Sequence, residues 1–399
     1  MSALSPLDAT PARASAATSA TTPDSALVEL RWATARLPLP RALQAGALVI
    51  ESREYCCVRA TLACGSAGEA FVMTRGLDVG GALDALFAAR ALGGRPGQLD
   101  DLRSAVRNIG WDGAISRAAS AIRLAALDAA ARAAEQPVWR LLGAAAAPSA
   151  PAIAVVGYAT PGEDPGAADV RGAQEAVAAG ARTLKLMGGS GTPDDDLRRL
   201  RRVREAVGAE VALALDVNGA WPLAVAHAAL PRLAAAGVVL VEEPWAYEHG
   251  LRGFDGLPQE RPQLAFGEIS SSIVELEALA RSGCVEHLRA DATLTGGAES
   301  WRELAAAFAQ PGVALFPHFW PQLHRHLLAL APRTSYLECS LGDGDEFALG
   351  TFVGPAVGLD AAGRIAAPEE PGFGFALDWE RIARHADSEP RRRGIDERS

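Results

Sequence analysis

The sequence predicts an α/β protein, a (β/α) barrel preceded by an α+β capping domain. After residue 148, eight short apolar runs alternate with helical patterns, and most runs are followed at once by a polar or ionisable side chain. This alternation is typical of a parallel sheet with helices outside it. Before residue 148, strand-like segments come first and helical spacing follows. The predicted regions are a disordered leader at 1–25, the capping domain at 26–147, the barrel at 148–360 and a segment at 361–399 that returns to the cap and ends in a polar tail.

Length and composition restrict the function. The chain has 399 residues, of which 49% are hydrophobic and 22% charged, and this is enough for two domains with a large core. A net charge of -10 argues against a nucleic-acid or anionic-membrane partner, since both need a concentrated basic patch. No uninterrupted apolar run of about 20 residues is present, so no membrane span is predicted. The five cysteines form no CxxC pair, and a reduced cytoplasmic protein fits best.

The segments before the barrel are assigned from composition and periodicity. The leader is rich in Ala, Ser, Thr and Pro and lacks the apolar segment of a signal peptide. Residues 77–142 have helical spacing and end in a long amphipathic segment at 116–132. The stretch 144–151 is interpreted as the interdomain linker. Three strand-like runs separated by polar turns predict a meander at 28–32, 48–50 and 57–61.

The barrel strands are predicted from short apolar runs that alternate with helices. The runs lie at 153–156, 183–187, 211–215, 238–241, 264–266, 287–290, 313–316 and 336–337. So regular a unit favours a closed parallel barrel over an open sheet. The active site of such a barrel lies at the C-terminal ends of the strands, so the residues that follow the runs are the candidates for chemistry.

Three carboxylates follow consecutive predicted strands at one spacing. Asp216 precedes Glu242 by 26 residues, and Glu242 precedes Glu268 by 26 residues, which is one strand-plus-helix unit in each case. Adjacent barrel strands bring such side chains within reach of one ion, and three oxygen ligands with open positions suit Mg²⁺. Each carboxylate alone would equally well cap the helix that follows it. The common spacing predicts a magnesium site.

A histidine and a carboxylate follow the next two strands. Asp291 would hold the tautomer of His318 and raise its basicity, which is the arrangement of a general base. His324 and His326 fall in a helical stretch and are expected at the surface or the rim. Lys185 is the only lysine among 38 basic residues, and it is expected near the C-terminal end of the second barrel strand, where arginine cannot replace an ammonium group.

An ordered series of short motifs runs along the predicted barrel. The motifs are Leu184-Lys185-Leu186-Met187-Gly188-Gly189, Asp216-Val217-Asn218, Val241-Glu242-Glu243-Pro244, Gly267-Glu268, Asp291 through Gly296-Gly297, Pro317-His318 and Leu337-Glu338. Together with cap-domain motifs near residues 120–143, this series resembles the enolase superfamily, mandelate racemase subgroup, from about residue 27 to about residue 380. The resemblance implies a TIM-like barrel modified as in enolases, with removal of the proton alpha to a substrate carboxylate and Mg²⁺ stabilising the enediolate.

The resemblance also implies residue roles. By matching position, Asp216, Glu242 and Glu268 would be the metal ligands, and His318 with Asp291 the base pair. Glu338 would be an acid that hydrogen-bonds the substrate carboxylate, which requires it to be protonated or to share a proton.

One position departs from the family pattern. The second strand of the family usually carries Lys-x-Lys, in which the second lysine is a base on the face opposite the histidine. Here Lys185 takes the first place and Met187 the second, and methionine has no proton to give or take. Lys185 would then act as a cation against the substrate carboxylate or its metal-bound oxygen.

The departure favours dehydration of a sugar acid. Racemisation needs a proton donor and a proton acceptor on opposite faces of the alpha carbon, whereas His318 alone can take the alpha proton and then protonate the leaving beta-hydroxyl. One alternative is a racemase or epimerase of a 2-hydroxy acid, in which the strand is shifted by two residues and Lys185 is a base. A second alternative is a barrel that binds a sugar acid or a metal without turnover.

Substrate recognition is expected from cap loops over the barrel mouth at 33–46 and 65–75, the second made mobile by Gly65 and Gly68. The partner is expected to be a small-molecule carboxylate. Family members commonly form symmetric homo-oligomers, and the same is expected here. The candidate substrate-binding residues are Asn218, Arg36, Arg41 and Arg75.

Overall fold

The computed structural model describes residues 25–45, 48–99, 101–309, 311–331, 333–341, 346–354 and 357–397. The predicted leader lies outside these ranges apart from Ser25. Within them, no helix has the length and apolar character that a membrane crossing requires.

The strands and helices of the described ranges are numbered here in chain order. The strands are β1 (Leu27–Ala45), β2 (Leu48–Leu62), β3 (Ala67–Met73), β4 (Ser149–Val156), β5 (Thr183–Met187), β6 (Ala212–Asp216), β7 (Val238–Glu242), β8 (Gln263–Phe266), β9 (His287–Leu288), β10 (Ala314–Leu315), β11 (Leu337–Cys339), β12 (Arg364–Ala366) and β13 (Arg391–Gly394). The α-helices are α1 (Val79–Ala82), α2 (Ala89–Ala91), α3 (Asp101–Ser104), α4 (Gly113–Ala133), α5 (Val138–Leu141), α6 (Pro165–Ala178), α7 (Pro193–Val207), α8 (Leu223–Ala235), α9 (Ile273–Arg281), α10 (Ala292–Thr295), α11 (Gly297–Glu303), α12 (Ala305–Phe308), α13 (Pro321–Leu327) and α14 (Trp379–Arg384). A π-helical segment spans Leu83–Ala88, and 3₁₀ segments span Tyr247–Phe254, Leu328–Leu330, Leu349–Thr351 and Ile395–Glu397.

The capping domain is built on an antiparallel sheet in the order β13-β1-β2-β3. The predicted meander is confirmed, because β1 pairs with β2 and β2 pairs with β3. The C-terminal strand β13 pairs with the other edge of β1 and so brings the chain end back to the cap. The loops expected at 33–46 and 65–75 are wrong over most of their length, since residues 33–45 belong to β1 and residues 67–73 to β3.

Helix α4 packs across β2 and β3 and confirms the helix predicted at 116–132. Asp112 begins the helix by accepting the backbone N–H of Gly113. Gly68 of β3 lies so close to the helix that a Cβ there would meet the backbone nitrogen of Ala129 at 2.0 Å. Gly68 therefore permits strand and helix to approach each other, and it is not part of a mobile loop as expected.

The buried carboxylate of Asp128 joins three segments of the chain. Its Oδ2 accepts the backbone N–H of Glu69 in β3 at 2.8 Å and the Nε–H of Arg132 at 2.8 Å. Its Oδ1 accepts the backbone N–H of Phe373 at 2.6 Å. Helix α4, the cap sheet and the segment after the barrel therefore share one hydrogen-bonded centre.

The second domain is a parallel barrel in the order β10-β9-β8-β7-β6-β5-β4-β11. The ring closes just before β11, where Leu315 of β10 donates to the carbonyl of Arg333 at 3.0 Å and accepts from the N–H of Ser335 at 2.8 Å. Strand β12 pairs antiparallel with β4, which begins at Ser149, so residues 149–151 of the expected linker belong to the sheet. The modified barrel predicted from the sequence is confirmed.

The register of the barrel strands places the candidate residues at two levels. Met187, Asp216 and Glu242 are paired neighbours at the C-terminal level. Lys185 pairs with Ala214, two residues deeper along each strand. A separate cluster of buried apolar side chains fills the barrel interior, namely Ile153, Ala214, Leu240, Ala265 and Phe316. The barrel is therefore a packed core with a chemically active upper rim.

Candidate active site

A cavity of about 720 Å³ lies between the C-terminal ends of the barrel strands and the capping domain. Its barrel wall includes the predicted residues Lys185, Asp216, Glu268, His318 and Glu338. Its cap wall includes Gln44, Ile50, Arg53, Met73 and Arg75. A volume of this size is ordinary for a small-molecule site, and the site is formed by both domains.

The three predicted metal ligands come together at the barrel rim. Asp216 ends β6, Glu242 ends β7, and Glu268 follows β8, so adjacent parallel strands bring them to one edge. One oxygen from each carboxylate lies within 4.8 Å of the other two, and all three residues are buried. Burial and the nearby Glu242 raise the pKa of Asp216 to about 6. Three buried carboxylates this close repel one another unless positive charge is added.

These residues fit a divalent cation. Glu242 Oε1 is buried and has no hydrogen-bond donor among the described residues. The four carboxylates of Asp216, Glu242, Glu268 and Glu338 face two buried cations, Lys185 and Arg289, which leaves a formal excess of two negative charges. A hard divalent ion with oxygen ligands, such as Mg²⁺, suits both the charge and the donor set.

The ammonium group of Lys185 contacts three carboxylates. Its Nζ lies 3.0 Å from Asp216 Oδ2, 2.8 Å from Glu242 Oε2 and 2.7 Å from Glu338 Oε1. Burial alone lowers the pKa of the ammonium group, but the three carboxylates outweigh burial and raise its pKa well above the ordinary value. Its position below Met187 does not fit a strand shifted by two residues. Lys185 is a fixed positive charge at the floor of the cavity.

Arg289 was missed in the sequence, and it is the second buried cation of the site. Its guanidinium donates to the backbone carbonyl oxygens of Phe316 at 3.2 Å and Pro317 at 2.9 Å, immediately before His318. It also donates to Glu338 Oε2. Its Nε lies 2.7 Å from Glu242 Oε1 but is not aligned for a hydrogen bond, so these two groups attract only as charges. The available signal was an arginine near the end of the predicted strand run 287–290, two residues before Asp291.

The predicted base pair is formed. His318 Nδ1 lies 2.9 Å from Asp291 Oδ2, which also accepts the Nε1–H of Trp320 at 3.1 Å. Asp291 Oδ1 accepts the backbone and hydroxyl hydrogens of Thr293, both at 2.7 Å. Burial alone lowers the pKa of His318, but the carboxylates of Glu268 and Asp291 outweigh it and raise the pKa. His318 Nε2 is left on the side of the ring that faces Glu268, at 3.8 Å.

The two neighbouring histidines are not at the surface or rim, so that prediction was wrong. His324 and His326 are both fully buried. His324 stacks on Trp301 with ring centroids 5.2 Å apart, and its ring nitrogens meet the Phe319 carbonyl at 2.6 Å and the Ala292 N–H at 3.1 Å. Both rings point inward from helix α13. Helical periodicity alone does not indicate which face of a helix packs against the core, so the sequence did not predict this.

Glu338 differs from the expected protonated acid. Burial alone would raise its pKa, but Arg289 and Lys185 together hold the pKa well below the usual range of a glutamate. Its Oε2 also accepts the backbone N–H of Phe319 at 3.0 Å. Glu338 is therefore an ionised carboxylate in this arrangement and connects β11 to the segment that carries His318.

Several residues beside the site have left-handed backbone without being glycine. Asn218, Glu243, Phe319 and Trp320 have φ of 51°, 40°, 46° and 48°, and each lies one or two residues after Asp216, Glu242 or His318. Such conformations are costly for side chains with a Cβ and persist where the surroundings determine them. Glu243 is held by the N–H of Gly267, which donates to its Oε1 at 2.8 Å.

Two of the four candidate substrate-binding residues, Asn218 and Arg75, line the cavity. Arg36 does not, because it pairs with Glu54 and its side chain is 60% exposed. Arg41 does not line it either, and its guanidinium points to the carbonyl of Tyr158 at 3.4 Å. Arg53, which the sequence interpretation missed, lines the cavity from β2.

Comparisons with known proteins agree with this geometry. The model of the enolase C-terminal domain-like family matches residues 168–381, and that of the mandelate racemase / muconate lactonizing enzyme N-terminal domain matches residues 36–143. The 3,6-anhydro-alpha-L-galactonate cycloisomerase of Streptomyces coelicolor is 26% identical over 277 residues, which are 69% of this chain and 74% of that protein. The L-talarate/galactarate dehydratase of Salmonella typhimurium is 31% identical over 156 residues, which are 39% of each chain.

A solved structure extends the similarity over nearly the whole chain. A racemase from Streptomyces coelicolor with bound magnesium superposes with a TM-score of 0.80 at 25% identity, and the match covers 90% of this chain and 99% of that one. The family match covers both domains, and the residues predicted as ligands and base lie together at the barrel rim. This chain belongs to the mandelate racemase/muconate lactonizing enzyme family of the enolase superfamily.

Proposed function

We propose that this protein is a Mg²⁺-dependent dehydratase that converts a sugar acid to a 2-keto-3-deoxy acid. The observation that carries the proposal is the asymmetry of the barrel rim. His318, paired with Asp291, follows β10, whereas Met187 ends β5 on the other side of the mouth, and both side chains line the cavity. Only one face of a bound substrate would therefore meet a base.

The chain's own residues account for the proton transfers of the proposed reaction. His318 Nε2 takes the proton from the alpha carbon, while Asp291 accepts the Nδ1–H and stabilises the imidazolium that forms. The same Nε2–H then protonates the beta-hydroxyl, which leaves as water while the alpha–beta double bond forms. The resulting enol tautomerises to the 2-keto product. Hydrogen and oxygen balance, and the histidine ends as it began.

The electrostatic part of the proposal rests on the carboxylates and the two buried cations. Mg²⁺ held by Asp216, Glu242 and Glu268 would supply positive charge for the negative charge that develops on the substrate carboxylate. Lys185 and Arg289 keep the carboxylates beneath the site ionised and in place. A relative that dehydrates L-talarate and galactarate supports a sugar acid as the substrate class.

Racemisation is the competing reaction and is disfavoured by the same observation. It needs a second proton-transfer group across the alpha carbon from His318, and Met187 cannot serve. Lys185 cannot easily replace it, because its ammonium group is bonded to three carboxylates and its side chain is 2% exposed. A barrel that binds a sugar acid without turnover is the remaining alternative.

A turnover screen tests the proposed function. Purified protein with Mg²⁺ is incubated with mono- and diacid sugars, and 2-keto products are detected as semicarbazones. We expect at least one product, which His318→Asn abolishes and Met187→Leu retains. In deuterated water, exchange of the alpha hydrogen should be confined to one stereochemical face. Exchange on both faces would favour an epimerase, and binding without exchange or product would favour the non-catalytic barrel.

We also propose a cellular location, a partner and an oligomeric state for the enzyme. The five cysteines are all free thiols, two of them, Cys56 and Cys57, fully buried in β2, which supports a reducing, cytoplasmic location. The expected partner is a small-molecule carboxylate. A symmetric homo-oligomer remains part of the proposal, and sedimentation velocity of the purified protein would test it.

A further inference from the structure

Two arginines of the capping domain face the cavity side by side. Arg53 lies in β2, and Arg75 follows the end of β3. Tyr55 pairs with Met73 across these strands, and the N–H of Thr74 donates to the carbonyl of Glu54 at 3.0 Å. Strand β3 ends at Met73, so Arg75 lies in the turn that follows, and its charge is close enough to lower the pKa of Arg53. Both side chains line the cavity.

Neither guanidinium has a carboxylate partner within 4.0 Å among the described residues. Arg53 donates its Nε–H to the backbone carbonyl of Glu346 at 3.0 Å and lies over the ring of Phe347 at 5.0 Å, so its two terminal nitrogens are not used by these contacts. By contrast, Arg199, which lines the same cavity, is paired with Asp169 at 2.7 Å. Glu163, an acidic residue of the cavity wall, is paired with Arg171.

The arrangement costs stability unless an anion is bound. Two like charges close together repel each other when no counter-charge lies between them. Burial and the charge of Arg75 lower the pKa of Arg53, although Glu346 and two tyrosines attract it from a distance. Arg75 also adopts φ of 55°, a left-handed conformation that a side chain with a Cβ rarely takes. Paired guanidinium groups provide several N–H donors that match the two oxygens of a carboxylate.

We propose that the substrate is a sugar diacid whose distal carboxylate is bound by Arg53 and Arg75. This rests on the proposed function for the other end of the substrate, where the reacting carboxylate lies against the barrel rim. The two charged ends of the cavity thus set the length and the charge of the substrate. The barrel determines the chemistry, and the cap selects a molecule with a second acidic group over the corresponding monoacid.

Paired ligands test the inference by binding. Gluconate and glucarate, galactonate and galactarate, and mannonate and mannarate each share one sugar configuration and differ in the acid at the sixth carbon. Their affinities for the His318→Asn variant are measured by calorimetry with Mg²⁺, so that no turnover disturbs the titration. We expect one diacid to bind about ten- to a hundredfold tighter than its monoacid, as for a charge-assisted hydrogen-bond pair.

Variants assign the preference to the two arginines. Arg75→Gln and Arg53→Gln, each combined with His318→Asn, should reduce the diacid preference to below about threefold. Arg36→Gln is the matched control, since Arg36 is a cap arginine of β1 outside the cavity, and it should retain the full preference. Arg75 is the cleaner variant, because Arg53 also bonds the Glu346 carbonyl; equal thermal melting of the variants checks their folding.

The outcomes separate this inference from the proposed function. Equal binding of mono- and diacids, or a preference that survives both arginine variants, would overturn the distal carboxylate site even if the wild-type protein dehydrates a monoacid. Tighter binding of a 6-phosphorylated monoacid than of any diacid would also overturn it. If none of the six acids binds and the turnover screen is silent, both the inference and the proposed function fail.

Discussion

At the scale of single residues, two buried cations partly compensate the negative charge of four carboxylates at the barrel rim. Lys185 contacts three of them, and Arg289 contacts Glu242 and Glu338 while donating to two carbonyls beside the base. Removing one member of a buried ion pair leaves an uncompensated charge, which is far more costly than removing an exposed pair. The two cations therefore support the predicted metal site structurally and contribute to its electrostatics.

Replacing Arg289 tests this support. Arg289→Met should lower the free energy of unfolding by about 3–5 kcal/mol, because Glu242 and Glu338 lose one of their two buried cationic partners. Arg202→Met is the control, since Arg202 pairs with Asp164 at the surface and its loss should cost less than about 1 kcal/mol. Urea unfolding monitored by circular dichroism provides both values. Equal losses in the two variants would contradict a supporting role for Arg289.

Chemical labelling of the only lysine, Lys185, tests whether its side chain is accessible to solvent. Reductive methylation of the native protein should leave Lys185 unlabelled, because its side chain is 2% exposed and its ammonium group is held by three carboxylates. After unfolding in urea, the same residue should be labelled in full. Peptide mass spectrometry reads the result, and the N-terminal amine serves as the internal control. Rapid labelling of the native protein would show that the cluster opens.

At the scale of elements, the closest packing lies between β3 and α4. Gly68→Ala should destabilise the protein by about 3 kcal/mol or more, because the new Cβ would meet the backbone of Ala129 at 2.0 Å and backbone atoms cannot yield easily. Gly358→Ala is the matched control, since a Cβ at this position would have no other atom within 4 Å and its φ is not left-handed. Thermal melting distinguishes them, and equal melting temperatures would contradict the close approach.

The buried His287 should make the stability of the barrel depend on pH. Its ring nitrogens lie 2.9 Å from Ser335 Oγ and 2.8 Å from Gln263 Oε1, and burial lowers its pKa to about 4. The unfolded chain binds a proton near the ordinary pKa of about 6.5, so this contribution to stability is complete above that pH and is lost as the pH falls toward 4. Between pH 7.5 and 5 the loss should be about 2 kcal/mol.

The comparison of wild type with His287→Asn isolates that contribution. Urea unfolding is measured for both proteins at pH 7.5 and at pH 5, so that all other titrating groups cancel in the difference. The variant is expected to be less stable at pH 7.5 but to lose less stability on acidification. An identical pH dependence of the two proteins would exclude His287 as the titrating group.

At the scale of the molecule, the metal site joins three barrel strands to the cavity that the cap covers. Mg²⁺ should raise the free energy of unfolding, by about 2.7 kcal/mol at a hundred times its dissociation constant, because it binds the folded site and not the separated carboxylates of the unfolded chain. Thermal melting with Mg²⁺ and with EDTA measures the shift. Glu268→Gln should abolish most of it, whereas Glu303→Gln, at the exposed end of α11, should not.

Much of this architecture could be predicted because it depends on local periodicity. Short apolar runs and intervening helices were sufficient for the barrel, and parallel strands end at a common edge, so the residues after the runs, among them Asp216, Glu242 and His318, were found together. The same reasoning failed for the length of a strand and for the orientation of side chains, because both depend on contacts between segments. Residues 33–45 extend β1 because they pair with β2. His324 points inward because it stacks on Trp301, and His326 because its ring meets the carbonyl of Phe373.

The sequence by itself determined the fold class, the family and the order of the reactive groups along the chain, since these depend on spacing and on which side chains can carry charge or protons. Only the tertiary structure decided which groups meet. Strand register placed Met187 level with Asp216 and set Lys185 one layer deeper. The docking of cap on barrel brought Arg53 and Arg75 to the cavity and left Arg36 outside, because contacts between elements distant in sequence are decided by packing.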